Sequence, residues 1–120
     1  LPLPVSVPSH CELMRPAAER FAESIAAINW QAPQIPLVQN VSAAVAADLD
    51  TLKRDLLEQL YKPVRWVESV QTLAANGATE LVECGPGKVL AGLNKRCADG
   101  VSTANLNTPE AFAAARAALA

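Results

Sequence analysis

The chain contains a single histidine, His10, in the run Val5-Ser6-Val7-Pro8-Ser9-His10-Cys11-Glu12. The apolar residues up to Pro8 indicate an extended segment, and a helical pattern begins just after Cys11. A histidine at such a strand-to-helix corner can face a cleft, and imidazole is the side chain whose ordinary pKa lies near neutrality. The position therefore predicts a proton carrier, with a turn histidine that makes only structural hydrogen bonds as the alternative.

A histidine base needs a serine or cysteine nucleophile within hydrogen-bond reach, usually on a sharp turn. The chain has no G-x-S-x-G sequence. Cys11 is the neighbour of His10, but adjacent side chains diverge on a helix or strand, so the two make a poor dyad. Cys84 precedes the turn 85–87 at a predicted strand end, where a small buried residue is the favoured interpretation. The nucleophile that His10 would serve is therefore expected outside this chain.

Other kinds of site have less support. One histidine and three scattered cysteines lack the spacing of a zinc site, so no metal site is expected. The run Gly85-Pro86-Gly87-Lys88 lacks the phosphate-loop pattern, and a tight strand-to-helix turn is favoured over an anion site. Asn40 ends a predicted strand, where parallel sheets place ligand contacts, although asparagine is also common in turns.

Strands and helices alternate along the chain. Strands are predicted at 35–41, 79–84 and 101–106, and residues 1–7 are an edge strand or an extended connector because proline cannot donate to a central ladder. Helices are predicted at 16–28, 48–60, 63–75, 87–96 and 108–119. The continuous apolar run in 35–41 is typical of a parallel strand covered on both faces. Ser9 and Glu12 match a capping box, and Pro16 favours a main helix that begins close to it. The alternation predicts an α/β fold with a parallel sheet and flanking helices. Three or four strands make half a typical sheet, whose open edge needs a partner.

Composition narrows the function classes. The 120 residues carry a net charge of −2 and no basic run, which argues against nucleic-acid binding. No apolar stretch approaches the ~20 residues of a membrane span, and no membrane association is expected. Three cysteines without paired spacing predict reduced thiols and a cytoplasmic location. The chain begins at Leu1 without an initiator methionine, which suggests a fragment.

Four motifs in order give the chain a family resemblance. They are Pro4-Val5-Ser6-Val7-Pro8-Ser9-His10-Cys11, Val38-Gln39-Asn40-Val41, Glu58-Gln59-Leu60-Tyr61-Lys62-Pro63-Val64-Arg65-Trp66 and Glu83-Cys84-Gly85-Pro86-Gly87-Lys88-Val89-Leu90. Together they resemble the C-terminal portion of the bacterial malonyl-CoA:acyl carrier protein transacylases, and the match covers essentially the whole chain.

The resemblance implies half of an α/β-hydrolase-like parallel sheet with flanking helices, preceded by the last strand of a small ferredoxin-like subdomain. Residues 1–8 would be that terminal strand, and residues 9–120 the C-terminal half of the large acyltransferase subdomain. The implied enzyme moves malonyl from coenzyme A to the phosphopantetheine thiol of acyl carrier protein through a malonyl-serine ester, in fatty acid biosynthesis. It has no permanently bound cofactor, and malonyl-CoA is its substrate.

The resemblance also implies roles for individual residues. His10 would be the general base and acid, and its ring would be oriented by the backbone carbonyl of Gln59. Ser9 matches a position linked to the choice of acyl group, and Asn40 is a further candidate for substrate binding. The G-H-S-x-G serine, the arginine that pairs with the malonyl carboxylate and the glutamine of the oxyanion hole do not occur in the sequence.

The expected partners are therefore acyl carrier protein, malonyl-CoA and the missing N-terminal part of the same enzyme, and the chain alone is expected to be inactive. Two alternatives stay open. One is an acyltransferase domain of a larger polyketide or fatty acid synthase, and the other is a non-catalytic α/β interaction module in which His10 is structural.

Overall fold

The structure, a computed structural model, describes residues 7–118. The chain divides into two compact units, Leu1–Ser69 and Val70–Ala120. The predicted first strand, and with it the terminal strand assigned to a small subdomain, lies outside the described residues except for Val7 and Pro8. Within residues 7–118, no helix is long and apolar enough to cross a membrane.

The first unit is built around a pair of helices. A short 3-10 helix, Glu12–Met14, leads directly into α1, Arg15–Ala26. Helix α2, Leu49–Glu58, packs against α1. Ala18 and Ile25 lie one heptad apart on α1 and are buried, as is Leu52 on α2, because positions seven apart share one face of a helix.

The beginning of α1 confirms one prediction and contradicts another. The main helix begins at Arg15 and has Pro16 in its first turn, where proline fits because its missing N–H would have no helical partner. The capping box predicted from Ser9 and Glu12 is wrong. Cys11 precedes the 3-10 helix and makes no side-chain capping bond, and Glu12 instead pairs with Arg15.

The buried parallel strand predicted at 35–41 is wrong for the described structure. Its only ladder contact there is an isolated antiparallel bridge between Val38 and Val45. Ile35 is 80% exposed and Leu37 is 49% exposed. A parallel strand exists only beside neighbouring strands that pair with its N–H and C=O groups, and the apolar run alone cannot supply them.

Helix α3, Trp66–Ala75, begins three residues later than its predicted start at Pro63. The carbonyl of Arg65 already accepts from the N–H of Ser69 at 2.9 Å, which makes Arg65 the residue before the first turn. The N–H of Arg65 donates outside the helix, to Asn40 O at 2.8 Å. Helix α3 ends as predicted before Asn76 and Gly77, and Gly77 has φ of 92°.

The second unit contains two parallel strands joined by a crossover helix. Strand β1, Glu80–Glu83, pairs with β2, Ser102–Asn105, and Glu80 lies opposite Ser102. Between them runs α4, Val89–Asn94, and after them α5, Pro109–Ala118. Helix α4 contacts both strands, and α5 contacts β2.

Side chains from both strands bind α4. The Glu83 carboxylate accepts from the N–H of Ala91 at 2.8 Å, and the Thr103 hydroxyl donates to the carbonyl of Ala91 at 3.2 Å. Backbone N–H groups in the first turn of a helix have no helical acceptor, so the carboxylate of Glu83 satisfies one of them. The predicted α/β class, with a parallel sheet and flanking helices, is confirmed, with two strands in the described sheet.

Candidate active site

His10 lies in an exposed turn with φ of 62°. Positive φ is uncommon for residues other than glycine, and histidine, asparagine and aspartate adopt it more often than most. A backbone held in this region costs of order 1–3 kcal/mol and persists only where surrounding contacts fix it. His10 therefore must have contacts that hold both its backbone and its ring.

The contacts come from the C-terminal end of α2. The N–H of His10 donates to Leu60 O at 2.9 Å, and the ring Nδ1 lies 2.6 Å from Gln59 O. The last carbonyls of a helix have no partner within it, so Gln59 and Leu60, which directly follow α2, present free acceptors. One residue thus satisfies two consecutive carbonyls of the helix end.

This geometry fixes the tautomer of the ring. A backbone carbonyl can only accept a hydrogen bond, so Nδ1 carries the proton and Nε2 holds the lone pair. Because His10 lies at the surface of the chain, an imidazole in this tautomer can accept a proton at Nε2 while the donor at Nδ1 remains occupied. Those are the requirements for a general base.

The side chain of Gln59 is held separately from its carbonyl. Its Oε1 accepts from Asn40 Nδ2 at 3.1 Å. Asn40 belongs to a tight turn in which the N–H of Gln39 donates to Ala44 O at 3.0 Å and the N–H of Ala43 donates to Gln39 O at 2.8 Å. The structure therefore joins Asn40, Gln59 and His10 in one hydrogen-bonded series.

A salt bridge and a cation–π contact lie at the short 3-10 helix that follows His10. Arg15 Nε lies 2.7 Å from a Glu12 carboxylate oxygen, and its guanidinium stacks 4.2 Å from the centre of the Tyr61 ring. The hydrogen bond from Arg15 lowers the pKa of Glu12. The same bond raises the pKa of Arg15, so the pair is ionised near neutral pH. These contacts tie the residues after His10 to the segment after α2.

The other residues singled out in the sequence are placed as follows. Ser9 is exposed in the turn beside His10, and its N–H donates to Val7 O at 2.8 Å. Cys11 Sγ donates to Pro8 O at 3.2 Å. The interpretation of Cys84 as a buried residue is wrong, because Cys84 is exposed directly after β1. All three cysteines are unpaired.

Residue patterns alone did not single out Leu60 or Arg65. The signal available for Leu60 was Pro63, which predicts that the helix ends shortly before it and so leaves free carbonyls nearby. The backbone N–H of Arg65 donates to Asn40 O at 2.8 Å, and its Nη1–H donates to Ser42 O at 3.1 Å. No spacing in the sequence predicts either contact. Among residues 7–118, no three histidine, cysteine, aspartate or glutamate residues cluster in a way that could hold a metal ion.

Known proteins were compared with the chain in sequence. The malonyl CoA-acyl carrier protein transacylase of Escherichia coli strain K12 is 50% identical over 115 residues, which is 96% of this chain and 37% of that protein. The homologues of this chain are malonyl-CoA:acyl carrier protein transacylases. The transacylase of Bacillus subtilis strain 168 is 44% identical over 110 residues, 92% of this chain and 35% of the relative. No family model matches the chain.

Solved structures agree with the sequence comparison. The transacylase of Xanthomonas oryzae pv. oryzae is similar to this chain with a TM-score of 0.91 at 50% identity. The match covers 97% of this chain and 37% of the Xanthomonas chain. A malonyl-transacylase solved in complex with a type II polyketide acyl carrier protein has a TM-score of 0.89 at 43% identity, covering 96% of this chain and 37% of its own. The recognition made from the four motifs is confirmed, and the chain spans about 37% of the length of the first of these relatives.

Proposed function

We propose that this chain is the part of a malonyl-CoA:acyl carrier protein transacylase that carries its general base, His10. The observation that carries the proposal is the 2.6 Å contact between His10 Nδ1 and Gln59 O, which leaves Nε2 as the basic nitrogen on an exposed ring. Homology to the transacylases supplies the reaction to which such a base belongs.

In the proposed reaction, His10 Nε2 takes the hydroxyl proton of a serine outside this chain as the serine oxygen attacks the thioester carbonyl of malonyl-CoA. The carbon–sulfur bond breaks, and the protonated ring returns the proton to the departing coenzyme A thiol. In the second half-reaction, the sulfur of the carrier's phosphopantetheine thiol attacks the malonyl-serine ester while His10 takes the proton of that thiol. The ring then protonates the serine oxygen as it leaves.

Gln59 suits this cycle because its carbonyl is neutral. The carbonyl accepts the Nδ1–H of both the neutral and the protonated ring, so the ring keeps its orientation during each proton transfer. A carboxylate in the same place would add a negative charge close to a site that must also admit the malonyl carboxylate, and like charges repel.

The proposal includes the assignments that follow from the resemblance. The domain division between residues 1–8 and residues 9–120 that the resemblance implies is kept as part of the proposal. Ser9 contributes to the choice of acyl group. The partners are acyl carrier protein, malonyl-CoA and the rest of the enzyme, without a permanently bound cofactor. The three unpaired cysteines support a cytoplasmic location.

One relative favours a second candidate for the carrier. The transacylase in complex with a type II polyketide acyl carrier protein is 43% identical to this chain. Transfer to carrier proteins of the fatty acid and polyketide types, compared by kcat/KM with the complete enzyme, distinguishes the two, because the true carrier gives the larger value.

The test of the proposed base is a substitution of His10 in the complete enzyme. We expect His10→Ala and His10→Asn each to slow single-turnover malonyl transfer by ~10²–10⁴ because the general base is lost. Glu23→Gln, an exposed change on α1, is the matched control and should leave the rate unchanged. Circular dichroism establishes that the variants are folded. A loss of less than about threefold in both His10 variants would remove His10 from the mechanism.

A further inference from the structure

We infer that Asn40 is a positioning residue for His10, acting through the side chain of Gln59. The inference deepens the proposed function and rests on it for the catalytic consequence. It gives Asn40 a role besides the substrate contact expected from the sequence, because one N–H of its carboxamide is engaged with Gln59 Oε1 at 3.1 Å.

Gln59 is the residue whose position decides where the His10 ring lies. It directly follows the last residue of α2, and its own N–H donates to Asp55 O at 3.0 Å. Helix ends fray, so a carbonyl at this place is held less firmly than one in the helix interior. The bond from Asn40 adds a second attachment, through the side chain, to the residue that presents the carbonyl.

Asn40 can serve as such an attachment because its own turn is well fixed. Its carbonyl accepts from the N–H of Arg65 at 2.8 Å, on the segment that begins α3. The preceding residue, Gln39, is only 5% exposed. Gln39 also makes backbone bonds to Ala43 and Ala44 on the far side of the turn. The carboxamide of Asn40 is therefore presented from a buried and hydrogen-bonded segment.

The kinetic test is a double-mutant cycle in the complete enzyme. Asn40→Ala should slow acylation about three- to tenfold, the range that loss of one neutral hydrogen bond implies, with KM for malonyl-CoA unchanged. Gln59→Ala keeps the backbone carbonyl but removes Oε1, and it should slow acylation by the same factor as Asn40→Ala. If Asn40 acts through Gln59, the double variant is no slower than either single variant. Losses that multiply in the double variant, or a raised KM in Asn40→Ala, would overturn the inference.

A spectroscopic test reads the ring itself. In the complete enzyme labelled with ¹⁵N-histidine, the His10 signals are assigned by their disappearance in His10→Asn. We expect the wild type to show the Nδ1–H tautomer, and both Asn40→Ala and Gln59→Ala to shift the population toward Nε2–H. Unchanged tautomer populations in both variants would contradict the inference.

The two proposals fail separately. If His10 is not the base, malonyl transfer survives His10→Asn while the tautomer still responds to Asn40→Ala. If Asn40 does not position the ring, malonyl transfer is lost in His10→Asn and the tautomer populations of His10 are unchanged in Asn40→Ala. Should Asn40→Ala not fold, Gln59→Ala gives the same spectroscopic readout from a half-buried position at the helix end.

Discussion

At the residue scale, the backbone of His10 matters as much as its ring. A φ of 62° turns the chain so that the N–H and Nδ1–H of one residue reach two consecutive carbonyls, those of Leu60 and Gln59. Each hydrogen bond to an otherwise free helix carbonyl offsets part of the conformational cost at His10. The strained conformation and the orientation of the ring therefore have the same cause.

A pair of substitutions tests this conformation. Asparagine adopts positive φ readily, whereas a β-branched residue there is a genuine outlier. Both His10→Asn and His10→Val lose the ring, so the difference between them reports the backbone. We expect His10→Val to be less stable than His10→Asn by about 1–2 kcal/mol, measured by urea unfolding of the complete enzyme. Equal stabilities would mean that the turn adopts negative φ when the ring is gone.

At the element scale, α2 is the helix that defines the site, because its end supplies the acceptor for His10. Its beginning is fixed by Asp48, whose side chain accepts from the N–H of Thr51 at 2.7 Å. That bond lowers the pKa of Asp48 below its ordinary value of 3.8. Its end is fixed by Gln59 and the bond to Asn40. The Gln59 carbonyl therefore lies at the end of a helix that is capped at its beginning and attached through a side chain at its end.

The cap at Asp48 predicts a pH dependence of stability. A carboxyl whose pKa is lowered by folding stabilises the folded state above its unfolded pKa, and that stabilisation is lost as the pH falls through the lower folded value. Asp48→Asn keeps an acceptor oxygen but does not titrate. We therefore expect the melting temperature of the wild type to exceed that of Asp48→Asn above pH 3.8, and the difference to shrink below it.

The matched control for this comparison is Asp50→Asn, an exposed carboxylate in the first turn of the same helix. Thermal melting of the three proteins at several pH values measures the effect. A difference between wild type and Asp48→Asn that does not change with pH would show that the charge of Asp48 contributes nothing to the cap.

At the scale of the whole molecule, the chain exposes large apolar side chains in both units. Leu13 is 76% exposed and Ile35 is 80% exposed in the first unit, and Val89 is 70% exposed in the second. The transacylase relatives are longer than this chain, which spans about 37% of the E. coli protein.

The isolated chain of 120 residues should therefore transfer no malonyl group. Its sequence contains the proposed base but not the serine motif G-x-S-x-G, and a base without its nucleophile cannot form the acyl ester. Malonyl transfer to acyl carrier protein, assayed beside the complete enzyme, measures this. Measurable turnover that His10→Asn abolishes would mean that a nucleophile of this chain has been overlooked.

Local sequence signals determined most of the helices. Pro16 placed the beginning of α1 and Asn76-Gly77 the end of α3, because caps and turns depend on residues close in sequence. For α2 the sequence offers Asp48 or Asp50 as the cap, and the structure shows Asp48 in that role. The predicted strands 79–84 and 101–106 likewise contain β1 and β2, and each is a short segment bounded by turns. The ordered motifs, taken together, also identified the transacylase relatives.

Tertiary structure alone decided what depends on distant partners. The apolar run 35–41 forms no strand, because pairing requires neighbours that a sequence pattern cannot provide. Patterns in the sequence placed His10 at a corner, but only the family resemblance linked it to Gln59, because 49 residues separate the two and the contact of Nδ1 with that carbonyl forms only in the folded chain. The bond from Asn40 to Gln59 is likewise a contact across the chain, so the residue types were visible in the sequence while their geometry was not.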